Sequence, residues 1–382
     1  MTVRTHHFRV GNGDMTLIEL ESGKRILVDI NIRCAADDPD DDMPDVGGQL
    51  RDLLERDDDD RLYIDAFLLT HPDADHISGL ACHFHLGSLD SWSETDDKIL
   101  IREMWSSPIV FRRKCRETHK LCPDADAWAK EARRRVALFK SAGSLGSGDR
   151  IIILGEDIEG KTDDLGPILV KVDETFSSID GEDESTFSAF LLGPLPPSDD
   201  DEEEVLSKNN SSVIIQFTFA SGSEKQAARY LFGGDAEVAI WERLWAKHRN
   251  NPDGLAYDVL IAPHHCSWHS LSWDSWSKKR EQAKVSPDAR NALSQALTGA
   301  VIVGSCCPVE DNENDPPCIR AKREYVSIVK PKGGEFRCVA DGTGDDPLVF
   351  EINWAGPKIK RASLIAAGVY ATGVGSEALA HG

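Results

Sequence analysis

The chain has 382 residues, with 43 Lys and Arg against 66 Asp and Glu, for a formal charge of −23 at neutral pH. At 40% hydrophobic and 29% charged it can bury a large core and reads as globular. The charge argues against a protein that grips long nucleic acid through a basic face, although much of the acid is concentrated at 37–45, 57–60 and 199–204, which read as solvated loops.

Residues 1–14 hold no apolar run, and 364–374 is broken by Gly368 and Gly373, short of the roughly 18 residues a spanning helix needs. A cytoplasmic protein with no membrane partner is expected. The nine cysteines are odd in number and lack zinc-ribbon spacing, which predicts reduced thiols in or near the core.

In chain order, 5–10 and 15–21 read as strands flanking the turn Gly11-Asn12-Gly13-Asp14. A buried strand at 25–30 follows, then a helix at 46–56 and an apolar strand at 62–69 that delivers the chain to His71. Residues 77–85 suit a short helix. Residues 88–150 read as helical inserted material anchored by Trp92, Trp105, Trp128 and Phe139. Its basic runs, 112–116 and 133–135, suit either a helix surface or a local groove. Strands are expected at 150–154, 188–193, 212–219, 228–232, 257–262, 300–304 and 348–352. An amphipathic helix at 237–247 puts Ile240, Trp241, Leu244 and Trp245 on one face. An acidic loop is expected at 198–208 and a flexible tail at 357–382. Interleaved strands and helices predict layered α and β elements.

The chemistry is concentrated at strand ends. His71-Pro72-Asp73-Ala74-Asp75-His76 places four potential metal ligands in six residues just after a buried strand. A chain of this composition would hold such a window by chance roughly one time in a hundred. Imidazole with carboxylate suits zinc, manganese or iron. A capped helix start would explain one aspartate and leave both histidines without a role. A second signal is Gly233-Gly234-Asp235, where the carboxylate suits either a bridge between two cations or a helix N-cap. The third is Pro263-His264-His265-Cys266, a histidine pair suited to a ligand plus a proton donor. His6, His7, His119 and His248 show no partner pattern and read as surface.

With these three signals in this order, the chain resembles the metallo-β-lactamase superfamily, and within it the hydrolase domain of the ComEC/Rec2 competence proteins, which also carry Asp at the position of Asp73. The likeness extends to residues 10–14, Leu27-Val28-Asp29, 70–79 and 209–213. It implies an αββα sandwich of two mixed sheets spanning 1–356. It also implies two divalent metal ions, zinc or manganese. One would be held by Asp75, His76, Asp235 and one of His264 or His265, and the other by His71, Asp73 and the shared Asp235. Asp75, His264 and His265 are then the catalytic candidates. Asn209, Asn210 and Ser211 suit a substrate contact or simple turn chemistry, and Trp268 and His269 suit stacking on a substrate or protonating it. Asp29 suits an orienting role behind the ligands. Three departures stand out: Asn31 where the family has a turn glycine, Cys266 where it has glycine, and Asp315-Pro316 where it has His-Pro.

The expected activity is hydrolysis of a phosphodiester, in a nucleotide or single-stranded nucleic acid, because paired cations generate hydroxide near neutral pH and clamp phosphoryl oxygens. Ester, thioester or lactam hydrolysis on the same fold is the alternative. A partner-binding role in a defence or signalling complex, through the 88–150 material, is a third.

Overall fold

A computed structural model describes residues 2–33, 43–112, 121–196, 208–342 and 344–360. The expected acidic loop at 198–208 lies almost wholly outside them, as do His119 and residues 361–382.

The first half opens with antiparallel strands β1 (Val3–His7), β2 (Thr16–Glu19) and β3 (Arg25–Val28). From β3 onward pairing is parallel, through β4 (Leu62–Leu68), β5 (Leu100–Ser106) and β6 (Arg150–Leu154). Parallel neighbours need crossovers, and helices lie in all of them. They include α1 (Val46–Leu53), the short α2 (Ala74–Ile77), α3 (Pro108–Arg112) and α4 (Pro123–Ala142). Helix α4 has clear ends. The Cys122 thiol accepts from the Ala125 N–H, Pro123 sits in the first turn, and left-handed Gly143 closes it.

The second half repeats the scheme. β7 (Phe187–Gly193), β8 (Ile214–Ser221) and β9 (Glu224–Phe232) are antiparallel, while β10 (Tyr257–Ile261), β11 (Ala296–Gly304) and β12 (Glu335–Cys338) run parallel. Helices α5 (Val238–His248), α6 (Pro287–Leu293) and α7 (Ile319–Val329) make the crossovers. The chain then returns as β13 (Leu348–Asn353) and β14 (Gly356–Ile359) to complete the first sheet beside β1.

The sheets run β14-β13-β1-β2-β3-β4-β5-β6 and β7-β8-β9-β10-β11-β12, with two-residue strands at their margins. One apolar cluster takes side chains from both sheets, including Ile18, Ala66, Trp105, Phe217, Val259 and Phe350. A second packs α1 and α4 on the outer face of the first sheet, through Leu50, Phe67 and Trp128. A third packs α5, α6 and α7 on the second, through Trp241, Leu293 and Tyr325. The architecture is therefore the expected αββα sandwich of two mixed sheets.

Several expectations change. Residues 88–150 hold the buried strand β5 as well as α4, so this stretch is not wholly helical. Its mid-strand charges hid the strand: Arg102 pairs with Asp65 at 2.9 Å, and Glu103 accepts from the Trp105 ring N–H at 2.6 Å. The tail expected from 357 begins within β14. Residues 209–211 form a short 3-10 turn before β8. His6 and His7 are buried in β1, because β2, β13 and the opposite sheet enclose that strand. Among the described residues no helix is long and apolar enough to cross a membrane. Cys266, Cys306, Cys318 and Cys338 are buried free thiols, whereas Cys82 and Cys307 are exposed.

Candidate metal centre

Parallel strands place residues that follow their carboxyl ends along one edge. Asp29 follows β3, Thr70 and His71 follow β4, Asp235 follows β9, and His264 and His265 follow β10. Asp29 is left-handed, with φ 52°. The left-handed residue of this turn is thus Asp29 and not Asn31, whose amide group instead donates to the carbonyls of Val10 and Asn12. The Asp29 carboxylate accepts the Thr70 N–H at 2.7 Å and the Thr70 hydroxyl, and lies 2.8 Å from His76 Nδ1. This fixes the ring of His76 so that Nε2 faces Asp235 Oδ1 at 3.0 Å.

Asp235 sits at the centre, 2% exposed. Gly234 before it is left-handed at φ 48°, and a Cβ there would come within 2.9 Å of Ser212. The Ser212 hydroxyl accepts the Asp235 N–H at 3.1 Å. The N-cap of α5 is Glu237, so the capping role weighed for Asp235 is overturned. Its two oxygens face different histidines. Oδ1 lies 3.0 Å from His76 Nε2 and 3.5 Å from His265 Nε2, whereas Oδ2 lies 3.7 Å from His264 Nε2 and 4.0 Å from His71 Nε2.

The rest of the motif gathers around this axis. Asp73 Oδ2 is 3.0 Å from His71 Nε2, and Asp75 Oδ2 is 3.3 Å from His265 Nε2. His264, His265 and Cys266 are consecutive left-handed residues, at φ 51°, 51° and 67°. That conformation costs roughly 1–2 kcal/mol per non-glycine residue, and strain of this kind collects at functional sites. Cys266 thus occupies a left-handed position at which a glycine would be relaxed.

Asp14, read in the sequence as part of a turn and not as a ligand candidate, joins the cluster. Its carboxylate lies 3.9 Å from His76 Nδ1 and 4.0 Å from His265 Nδ1. Asp14, His76, Asp235 and His265 are all buried, with ligand atoms within 4.8 Å of one another. Gly13 permits this approach, since a Cβ there would fall 2.4 Å from Asn31 Nδ2 and 2.8 Å from the Asp75 carbonyl. That carbonyl accepts the Asp14 N–H at 3.1 Å. The sequence signal was a glycine followed by a carboxylate, the pattern already noted at Asp235.

Electrostatics agree with the geometry. Burial alone would raise the Asp235 carboxyl, but His76, His265, His71 and His264 hold it well below the usual range. Burial opposes charge on His76, and the carboxylates of Asp235 and Asp29 outweigh it and hold its pKa well above the ordinary value. His265 is likewise carried up to about 9, against burial, by Asp235, Asp75 and Asp14. Burial pushes Asp14 up to about 6, and burial lowers His264 despite Asp235.

The donor set fits divalent cations. His71 and His265 have both ring nitrogens buried without a hydrogen-bond partner, as is Nδ1 of His264. Buried polar atoms are otherwise almost always satisfied. Here His71 Nε2 stands 3.0 Å from Asp73 and His265 Nε2 stands 3.3 Å from Asp75, a spacing that suits groups around a shared ion.

The remaining candidates are placed less simply. The Asn210 carbonyl oxygen accepts the Glu237 N–H at 3.2 Å, Asn209 donates to the Glu237 carboxylate at 3.2 Å, and the Ser211 hydroxyl donates to the Val110 carbonyl at 3.3 Å. His269 is 43% exposed and 3.9 Å from Asp315. Asp315 anchors this turn by accepting from the Ser267 hydroxyl and the Trp268 N–H. Trp268 is fully buried and cannot stack on a substrate.

No family model and no curated protein matches the chain. Among solved structures, a long form RNase Z from yeast is similar at a TM-score of 0.32 and 9% identity, over 68% of this chain and 32% of that one. So slight a likeness does not bear on activity.

Proposed function

We propose that the chain is a hydrolase of the metallo-β-lactamase superfamily that holds two divalent cations and cuts phosphodiesters. The observation that carries this is Asp235, with one oxygen turned to His76 and His265 and the other to His71 and His264. One cation would take Asp75, His76, His265 and Asp235, with Asp14 beside them. The other would take His71, Asp73, His264 and the second oxygen of Asp235.

Paired cations, zinc or manganese, would polarise the phosphoryl oxygens and make a nucleophile available at neutral pH. They also supply the positive charge that a chain of −23 lacks for a phosphate substrate. This chain's own residues do the positioning. Asp29 and Thr70 orient His76, and Ser212 fixes the backbone of Asp235. The His264 side chain is 17% exposed, so the cation it would help to hold faces the surface from which substrate arrives. The overall charge favours a nucleotide or a single-stranded end over a long duplex.

The test is metal content together with hydrolysis of bis-p-nitrophenyl phosphate. The wild type is expected to retain zinc or manganese and to turn over. Asp75→Ala and His76→Ala are expected to lose both properties and keep their far-UV circular dichroism. Wild-type protein free of transition metal without exposure to chelator would overturn the reading. Metal-loaded protein that cleaves a carboxylic or thioester but no phosphodiester would move it to that substrate class.

A further inference from the structure

A cavity of about 590 Å³ lies between α4 and the outer face of β6 and is lined by none of the residues of the metal cluster. Its volume falls in the range of small-molecule sites. One wall is apolar, formed by Phe111, Ala132, Val136, Ile153 and Leu165. Against it stand three cations, Arg133, Lys140 and Lys161, and one acid, Asp157. That surplus of positive charge is notable in a chain of −23. Lys140 reaches Asp164 at 2.7 Å and Lys161 reaches Glu159 at 3.1 Å, but these are exposed pairs, worth little and readily exchanged. Arg133 pairs with no described residue. The cavity also reaches Ser107, just past the end of β5. Ser107 is 2% exposed, and its hydroxyl is buried without a hydrogen-bond partner.

An unmet hydroxyl, an apolar wall and a cationic rim together specify a ligand. We propose that this cavity binds a small organic anion, with its apolar body on the Phe111–Ile153 wall and its anionic group at Arg133, Lys140 and Lys161. Ser107 bonds a polar atom of the body. The site shares no residue with the metal cluster, so it stands whether or not the hydrolase reading does. It also lies close to that cluster in the sheet. Leu68 is paired with Trp105 in parallel strands, which sets Ser107 one strand over from the Thr70-His71 segment. The Val110 carbonyl of α3 bonds the Ser211 hydroxyl in the turn before β8.

The experiment is calorimetric titration of the full chain with naphthalenesulfonate, a non-hydrolysable aromatic anion, beside neutral naphthol and inorganic sulfate. One naphthalenesulfonate per chain is expected, bound more tightly than either control. Arg133→Glu should weaken it about tenfold or more, the scale of one lost charge-assisted contact. Ala137→Trp places a ring in the cavity from an exposed helix position and should abolish binding. Asp235→Asn should leave binding unchanged. Naphthol or sulfate binding as tightly as the anion would overturn the proposal, as would unchanged affinity in Arg133→Glu. Arg133 is exposed, so that variant decides the matter even if Ala137→Trp does not fold.

Discussion

Histidines are buried in two places with opposite surroundings. Between the sheets, His7 Nε2 meets the Thr5 hydroxyl and Nδ1 meets the Thr16 hydroxyl, each at 3.1 Å, and the Tyr230 hydroxyl joins Thr5 at 3.2 Å. Burial, and then the charge of His6, holds His7 down to about 3. It is a neutral ring with both nitrogens in use and no carboxylate against them. At the strand ends, His71 and His265 are as deeply buried, yet neither nitrogen is in use and carboxylates stand close by. Burial of an imidazole is therefore no mark of function. Nitrogens without a hydrogen-bond partner that converge with carboxylates are the better mark, because buried polar atoms are otherwise almost always satisfied.

The largest expected effect breaks that convergence. Asp235→Asn removes the charge that both histidine pairs face, so elemental analysis should find neither cation and phosphodiesterase activity should fall to background. Asp235 caps no helix, so the far-UV spectrum of the metal-free variant should match wild type. Retention of two cations per chain would show that Asp235 bridges nothing.

Acid sharpens the other side of the comparison. The folded-state pKa of His7 lies below its unfolded value of 6.5. A base lowered in this way contributes stability that is present above 6.5 and is lost as pH falls from there toward about 3. Between pH 7 and 4 the loss amounts to about 3 kcal/mol. His7→Gln can bridge the two threonine hydroxyls but does not titrate. Urea unfolding in chelator should show a shallower fall in stability for the variant over that interval, and equal slopes would place the acid sensitivity elsewhere.

The same contrast explains what the sequence could and could not reveal. That the residues at 71–76, Asp235 and the 264–265 pair converge was legible because residues that follow apolar strands are aimed by rigid elements toward one edge. The two outer faces were legible from periodicity, as at Trp241 and Leu244. The place of Asp14 was not, because it depends on the loop 11–14 folding back over Asp75, held by Ser305 donating to the Gly13 carbonyl at 2.6 Å across 292 residues of sequence. His7 was misjudged for a related reason. Its partners Thr5, Thr16 and Tyr230 are polar, so the strand does not look like core, and Tyr230 belongs to the other sheet. Strand β5 was hidden by Arg102 and Glu103, which find Asp65 and the Gly181 N–H on other elements.

Asp29 tests how far orientation matters within the cluster. It touches no second histidine, and it fixes His76 through Nδ1. Removing such a partner typically weakens metal affinity by about 10–100-fold. Asp29→Ala should therefore bind metal in competition with a chelator at that reduced affinity, still with two cations at saturation. Loss of one cation at any concentration would instead make Asp29 a ligand.

The smallest effect is expected at Asn210, where turn chemistry and substrate contact make different forecasts. Its side-chain oxygen accepts the N–H of Glu237, the residue that opens α5 two positions after Asp235. If that bond is its role, Asn210→Ala leaves a donor at the helix start unmet and lowers stability by about 1 kcal/mol. Metal content, kcat and KM would then stay near wild type, because Ser212 still holds the Asp235 N–H. If Asn210 also touches substrate, the same loss of stability would be joined by a rise in KM for bis-p-nitrophenyl phosphate, since a contact made equally in the ground and transition states moves KM alone. The hydrogen bond to Glu237 favours the first outcome. Steady-state kinetics beside urea unfolding of the same variant separates the two, because both forecasts lower stability and only substrate contact moves KM.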